Sequence, residues 1–376
     1  MSRHHLVRSV AKVLASLRHL VIMPLVALLP ASLASRPALL GRNRHSERSK
    51  FVNKGFLNRL ELALYHLVIV PLVAFLPAPL AYGIACLRGD WRYRWDRRAR
   101  EEVMRSLEVV LGDRLSPIER ARVARDFFRM RSCQPMDVMR LMGKGRSLAR
   151  LVEIRGLEHI EAAMAAGKGA IIVSGHFGSF GPAFSLLGAH GFPITAIGRY
   201  PSKSRPLLKR SAIERFFFRQ LIQKLMERHR HRPSIEPWVG RVDIAVQAAS
   251  ILRQNELIAL CIDSPNAREE DRARAVQVNF LNGKALLLPG AITIAQLMGT
   301  PVLMTFMRRS ADWRHQVLEI SPPVSLDGDT MTAFERCLAV VEAAIRQNPA
   351  HWHCWNFFNL FWLGLLPEEA LPTSEG

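Results

Sequence analysis

From about residue 100 the apolar positions change period again and again along the chain, and each change marks an element. The segments 100–112, REEVMRSLEVVLG, and 116–142, SPIERARVARDFFRMRSCQPMDVMRLM, read as amphipathic helices. Ser116 is placed as N-cap of the second, with Pro117 at the first helical position and Glu119 closing a capping box. After them strands and helices alternate: strand LVEIRG (151–156), helix LEHIEAAMAAGKG (157–169), strand AIIVSGH (170–176), helix FGPAFSLLGAHG (180–191), strand PITAIGR (193–199). A second block repeats the style with helix DIAVQAASILRQN (243–255), strand LIALCID (257–263), helix LPGAITIAQLMG (288–299) and strand PVLMTFMRR (301–309). Short apolar runs between helices predict an α/β protein with a mostly parallel central sheet flanked by helices. Ligands of such sheets sit beyond the carboxyl ends of the strands. His176, Arg199 and Asp263 fall there, far apart in the chain but on one expected rim.

Upstream the pattern is different. LRHLVIMPLVALLPASLA (17–34) and LYHLVIVPLVAFLPAPLA (64–81) agree at fourteen of eighteen positions, an internal duplication without a third copy. Each is apolar enough to enter lipid, and residues 67–87 carry no formal charge. Prolines 24, 30, 71, 77 and 79 remove backbone donors and speak against straight spanning helices. Arginines and lysines flank both copies on every side, so shallow or re-entrant insertion into the cytoplasmic leaflet fits better than two clean spans. Two other readings stay open: a cleaved signal peptide over residues 1–34, and a pair of ordinary core helices. The expected organisation is residues 1–60 with the first copy, 61–99 with the second and its basic flank, an α/β domain over 100–366, and a tail at 367–376.

Composition sharpens the partner question. The 376 residues carry a net charge of +20, concentrated in runs such as RGDWRYRWDRRAR (88–100) and RHRHRP (228–233), which favours anionic partners. Neither zinc-finger spacing nor a recognised RNA-binding motif appears, so charge beside apolar anchors points to anionic membrane lipid and not to nucleic acid. The five cysteines are scattered without CxxC spacing, which points to a reducing compartment and against a disulfide frame or a metal site. GHFGSFG (175–181) lacks the lysine and spacing of a phosphate loop. The tract 268–275, REEDRARA, reads as a solvated loop.

The order of these pieces resembles a known family. EIRGLEHIEAAMAAGKGAIIVSGHFGSFG (153–181), ITAIGRYPSKSRPLLKR (194–210), LCIDSPN (260–266) with the following VQVNFLNGKALLLPGAITIAQLMGTPVLMTFMRR (276–309), and NPAHWHCWNFF (348–358) are similar to segments of the late acyltransferases of lipid A biosynthesis, the lauroyl and myristoyl transferases, and of related mycobacterial acyltransferases. The resemblance runs over roughly residues 65–360. It implies a glycerolipid-acyltransferase-like fold with N-terminal apolar membrane-anchoring helices. It also implies transfer of a fatty acyl chain from acyl carrier protein or CoA to a hydroxyl of a lipid acceptor at the cytoplasmic face of the bacterial inner membrane. No cofactor is implied beyond the thioester co-substrate. The family's histidine, followed five positions later by Asp or Glu, maps onto His176; the acid position holds Gly181.

Acyl transfer to an alcohol needs a base for the hydroxyl proton and donors for the developing oxyanion. His176 suits the first task. A carboxylate normally fixes the tautomer of such a ring and stabilises its imidazolium form, and Gly181 does neither. Three arrangements remain: Asp263 supplies the carboxylate from another strand, His176 works held by a backbone carbonyl, or the chain is an inactive relative that binds lipid or carrier protein. Arg199 is a candidate for phosphate or phosphopantetheine contact through its planar fork, with Arg308 and Arg309 as similar candidates. Ser264 offers a hydroxyl beside Asp263, and the glycines around Gly178 let the backbone approach a thioester carbonyl. Phe177, Phe180, Phe184 and Phe280 line an acyl channel or the core. HWHCWNFFNLFWLGLL (351–366) reads as an interfacial anchor or a cover for the acyl site, since an i, i+2 histidine pair is no metal signature.

Overall fold

A computed structural model describes residues 65, 69–73, 76–142, 151–198, 231–235, 243–264 and 274–356. The first repeat copy, Arg199, most of the 268–275 tract and the tail at 367–376 lie outside the described residues. The chain divides into two compact units, Met1–Leu72 with Pro206–Phe218, and Val73–Arg205 with Arg219–Gly376. Of the first, residues 65 and 69–72 are described and are helical. The second unit carries the sheet and its rim.

Its centre is a seven-stranded sheet. The strands are β1 (Val152–Arg155), β2 (Ala170–Ser174), β3 (Ile194–Ile197), β4 (His231–Ile235), β5 (Leu257–Cys261), β8 (Val302–Arg309) and β9 (Gln316–Pro323), in the order β1-β9-β8-β2-β5-β3-β4. All neighbours run parallel except β8 and β9. The central strand β2 is buried at every residue, as a strand covered on both faces must be. Ile171 and Val173 belong to one core with Phe334, Leu338 and Val341; Ala170 and Ile172 belong to a second core on the opposite face with Ile160 and Leu187.

The segment 276–287, which resembles an apolar loop of the family containing Phe and Gly, has a structure of its own. It forms an antiparallel hairpin of β6 (Val276–Phe280) and β7 (Gly283–Leu287). Leu281 and Asn282 turn it with φ of 52° and 67°. Leucine is a poor choice for a left-handed turn; here burial of its side chain compensates.

The helices are α1 (Ala78–Trp95), α2 (Arg97–Leu111), α3 (Pro117–Met142), α4 (Leu157–Ala165), α5 (Phe180–Ala189), α6 (Asp243–Arg253), α7 (Gly290–Met298) and α8 (Thr330–Gln347). The capping box before α3 forms: Ser116 N–H donates to Glu119 Oε2 at 2.8 Å, and Glu119 N–H donates to Ser116 Oγ at 3.3 Å. α1 packs on α3 through Ala81, Tyr82, Ala85 and Gly89. A methyl group on Gly89 would lie 2.5 Å from Arg129 Cα, so glycine sets that close approach. Asp90 then clamps the pair, accepting from Arg125 and Arg129 at 2.6–2.9 Å. Among the described residues no helix is long and apolar enough to cross a membrane. The last part of the second repeat copy is the first turn of α1.

Candidate active site

Strand register builds the site. In the parallel pair β2–β5, Ser174 lies opposite Cys261. Two residues beyond each partner come His176 and Asp263, so equal offsets from one register deliver both to the same point on the rim. The carboxylate accepts the main-chain N–H of His176 on both oxygens, at 2.9 and 2.8 Å, and Asp263 Oδ1 lies 2.7 Å from the ring Nδ1. Gly175 leaves room for this, since a β-carbon there would sit 3.0 Å from Asp263 Oδ2. Asp263 is fully buried and the His176 side chain is 28% exposed. The ring is therefore held at Nδ1 while part of its surface stays exposed.

A third group completes the arrangement. Trp352 donates its indole N–H to Asp263 Oδ2 at 2.7 Å. With the His176 and Trp352 donors around it, both carboxylate oxygens are fixed in place by hydrogen bonds. Trp352 and Trp355 are fully buried, with rings edge to face at 4.7 Å and Phe280 beside Trp352 at 6.1 Å. These two tryptophans are core and not an interfacial anchor. Trp362 and the rest of that aromatic run lie outside the described residues.

The loop after His176 is threaded by the segment 351–355. Gly178 N–H donates to His351 O at 2.8 Å, and His353 N–H donates to His176 O at 2.8 Å. His353 Nε2 also lies 2.6 Å from Gly178 O. Gly178 has φ of 56°, and a β-carbon on it would collide with Met307 O at 1.8 Å, so no other residue fits the turn. Its N–H is already engaged, which makes Gly178 a shaping residue of the loop. Burial pushes His351 down to about 4, helped by the Arg309 charge, and burial pushes His353 well below its ordinary value. Both rings are neutral building blocks.

Phe180 is half-buried with its ring edge to face against His176 at 5.2 Å. Phe177, Phe184 and Phe280 are buried in the cores. Ser264 follows Asp263 and is exposed. Arg308 forms an ion pair with Glu319 at 3.1 Å across β8–β9. Arg309, on the opposite face of β8, is buried and ion-paired with Asp137. Gly181 lies in the first turn of α5 with nothing within 4 Å of where a β-carbon would stand.

His176, Asp263 and Cys354 bring ligand-type atoms within 4.8 Å of one another. Their chemistry is not that of a metal site. Asp263 is saturated by hydrogen bonds, a 2.7 Å contact between Nδ1 and Oδ1 is a hydrogen bond, and burial together with the Asp263 charge pushes the Cys354 thiol well up, so it stays protonated. The same causes hold the Cys261 thiol up.

Sequence reasoning finds His176 and Asp263 because both end apolar strands. It misses Trp352, whose role depends on residues 349–355 returning to the rim; the only signal was tryptophan density next to a proline. The family model for bacterial lipid A biosynthesis acyltransferases matches residues 54–357, a span that contains every group described above. No curated protein matches the chain with significance.

Proposed function

The chain belongs to the bacterial lipid A biosynthesis acyltransferase family, and from that premise we propose that it moves a fatty acyl chain from an acyl-carrier-protein or CoA thioester to a hydroxyl of a lipid acceptor, with His176 as general base. The observation that carries this reading is the 2.7 Å contact between His176 Nδ1 and Asp263 Oδ1. It supplies from β5 the carboxylate that Gly181 lacks on α5. With Nδ1–H donated to Asp263, the lone pair of Nε2 takes the hydroxyl proton as the acceptor oxygen attacks the thioester carbon. The imidazolium that results stays hydrogen-bonded at Nδ1 to the buried Asp263 carboxylate, which orients and stabilises it. Collapse of the tetrahedral adduct breaks the C–S bond, forms the ester and returns the proton to the departing thiolate. Phe180, edge to face against the ring, offers an apolar contact for the acyl chain. Arg199 and Ser264 remain the proposed contacts for the phosphate-bearing arm of the donor, and Arg308, engaged with Glu319, is a weaker one.

Membrane association at the cytoplasmic face belongs to the same proposal and is supported by α1. Opposite its packed face, Leu80, Ile84, Leu87, Trp91 and Trp95 recur every three or four residues and are exposed, with Leu87 at 69% and Trp95 at 70%. Arg94, Arg97 and Arg98 are exposed next to Trp95. An apolar stripe ending in tryptophans and arginines suits a helix lying in the plane of an anionic bilayer. A binding-only relative would have no need of a carboxylate on the histidine ring, so the same contact weighs against that alternative.

The test is transfer of a labelled acyl chain by the full-length protein in membranes, with carrier-protein and CoA donors compared. His176→Ala is expected to abolish transfer while leaving the protein folded. Wild-type transfer by that variant would refute the role given to His176.

A further inference from the structure

Behind the histidine loop lies a buried polar cluster that acyl transfer leaves without a task. Asp137 of α3 is fully buried and accepts on Oδ1 from Tyr82 Oη at 2.6 Å and from Gln316 Nε2 at 2.9 Å. On Oδ2 it accepts from Ser179 Oγ and from the Arg309 guanidinium. Arg309 also donates to Trp313 O at 2.9 Å and stands over the Tyr82 ring at 4.6 Å. Its main-chain N–H donates to His351 Nε2 at 3.0 Å, and the His351 ring stacks on Phe177 with centroids 5.3 Å apart. The cluster therefore reaches the loop twice: at Ser179 through Asp137, and at Phe177 and Gly178 through His351.

Two features set it apart from ordinary packing. Ser179 is the N-cap residue of α5, and a serine there usually accepts from a backbone N–H of the first turn. Its hydroxyl makes no such bond and turns inward to Asp137. The buried ion pair, moreover, is a poor source of stability, since desolvating two charges offsets most of their attraction. Arg309 Nε and Gln316 Oε1 are buried without partners among the described residues. Apolar side chains would fill this volume at lower cost; directional bonds fix where the loop begins and ends.

We infer that Asp137, with Arg309 as its counter-ion, is a positioning group for His176, acting through the Ser179 hydroxyl to hold the loop so that the ring stays on Asp263. The inference rests on His176 being the base, and the test separates the two. Ser179→Ala removes only the link, and Asp137→Asn changes the charge of the hub. Both are compared with wild type in the purified full-length protein by three readouts: kcat and KM for a labelled acyl donor, the thermal midpoint, and the strongly downfield proton resonance of the His176 Nδ1–H bonded to Asp263. Ser179→Ala is expected to remain folded, to lose kcat by about tenfold to a hundredfold with KM little changed, as for a displacement of an ångström or less, and to shift or broaden the downfield resonance. Asp137→Asn is expected to do the same, with Arg309→Lys intermediate. The proposal is overturned if Ser179→Ala keeps wild-type kcat per folded molecule and an unshifted resonance; should Asp137→Asn fail to fold, Ser179→Ala alone decides. An inactive His176→Ala beside a normal Ser179→Ala removes the positioning role and leaves the base. An active His176→Ala removes the base itself.

Discussion

His176 has a carboxylate at Nδ1 and part of its ring exposed, and the residue five positions on is a glycine. In this chain the carboxylate beside the ring comes from just beyond the end of β5 and not from the first turn of α5. The ring is served either way, because two oxygens of Asp263 reach its main-chain N–H and its Nδ1. Gly181→Glu tests that reading. The space around Gly181 is open. Replacing a helical glycine and adding a negative charge to the first turn should stabilise the fold by about 1 kcal/mol, and kcat should stay near the wild-type value because Nδ1 is already engaged. A thermal midpoint and a kcat measured on one preparation check both; a large gain in kcat would show that an acid on α5 outcompetes Asp263. The pairing of His176 with Asp263 was legible in sequence because parallel strands share a rim and both residues lie two beyond a strand end. The cap-free Ser179 and the indole of Trp352 were not legible, since each acts on a group dozens of residues away in sequence.

Helices and strands with strong periodicity were equally legible. The segments read as helices at 116–142, 157–169, 180–191, 243–255 and 288–299 correspond to α3 to α7 within a few residues at their ends, and the strand ends that matter fall where the apolar runs stop. β4, which begins in the basic run at 228–233, β9 and α8 are not among the elements predicted from sequence. β9 is half-buried, alternating along its length, and a short alternation after an exposed turn gives little signal. α8 does carry a signal, apolar positions at helical period behind Asp329 as N-cap. α1 is the instructive case: an uncharged stretch that reads as a lipid anchor becomes a helix with two apolar faces, one packed on α3 and one exposed. Each exposed leucine or tryptophan that enters lipid contributes about 1.5–3 kcal/mol. The pair Leu87→Asp and Trp95→Glu should therefore weaken binding to vesicles containing an anionic phospholipid by at least about tenfold, with the thermal midpoint unchanged. Unaltered binding, measured by vesicle co-sedimentation, would move the contact away from α1.

Over the whole molecule, the loop-and-strap arrangement around the sheet rim couples folding to protonation. His351, held down to about 4 by burial and the nearby Arg309 charge, and His353, lower than usual for the same first reason, are neutral in the fold and titrate near 6.5 when unfolded. The unfolded chain thus binds more protons between those values, so the contribution is complete above about pH 6.5 and is lost as pH falls towards 4. For His351 it amounts to about 3 kcal/mol. The unfolding midpoint should stay level from pH 7.5 to about 6.5 and fall from there to pH 4.5; a midpoint independent of pH across the lower part of that range would place both rings in water. The sheet, its cores and the rim all converge on one contact, and a single isosteric exchange interrogates it. Single-turnover transfer of a labelled acyl chain by Asp263→Asn should be slower than wild type by about a thousandfold to ten-thousandfold in a protein of similar thermal midpoint, whereas transfer at the wild-type rate would contradict the pairing of His176 with Asp263 as the chemical centre.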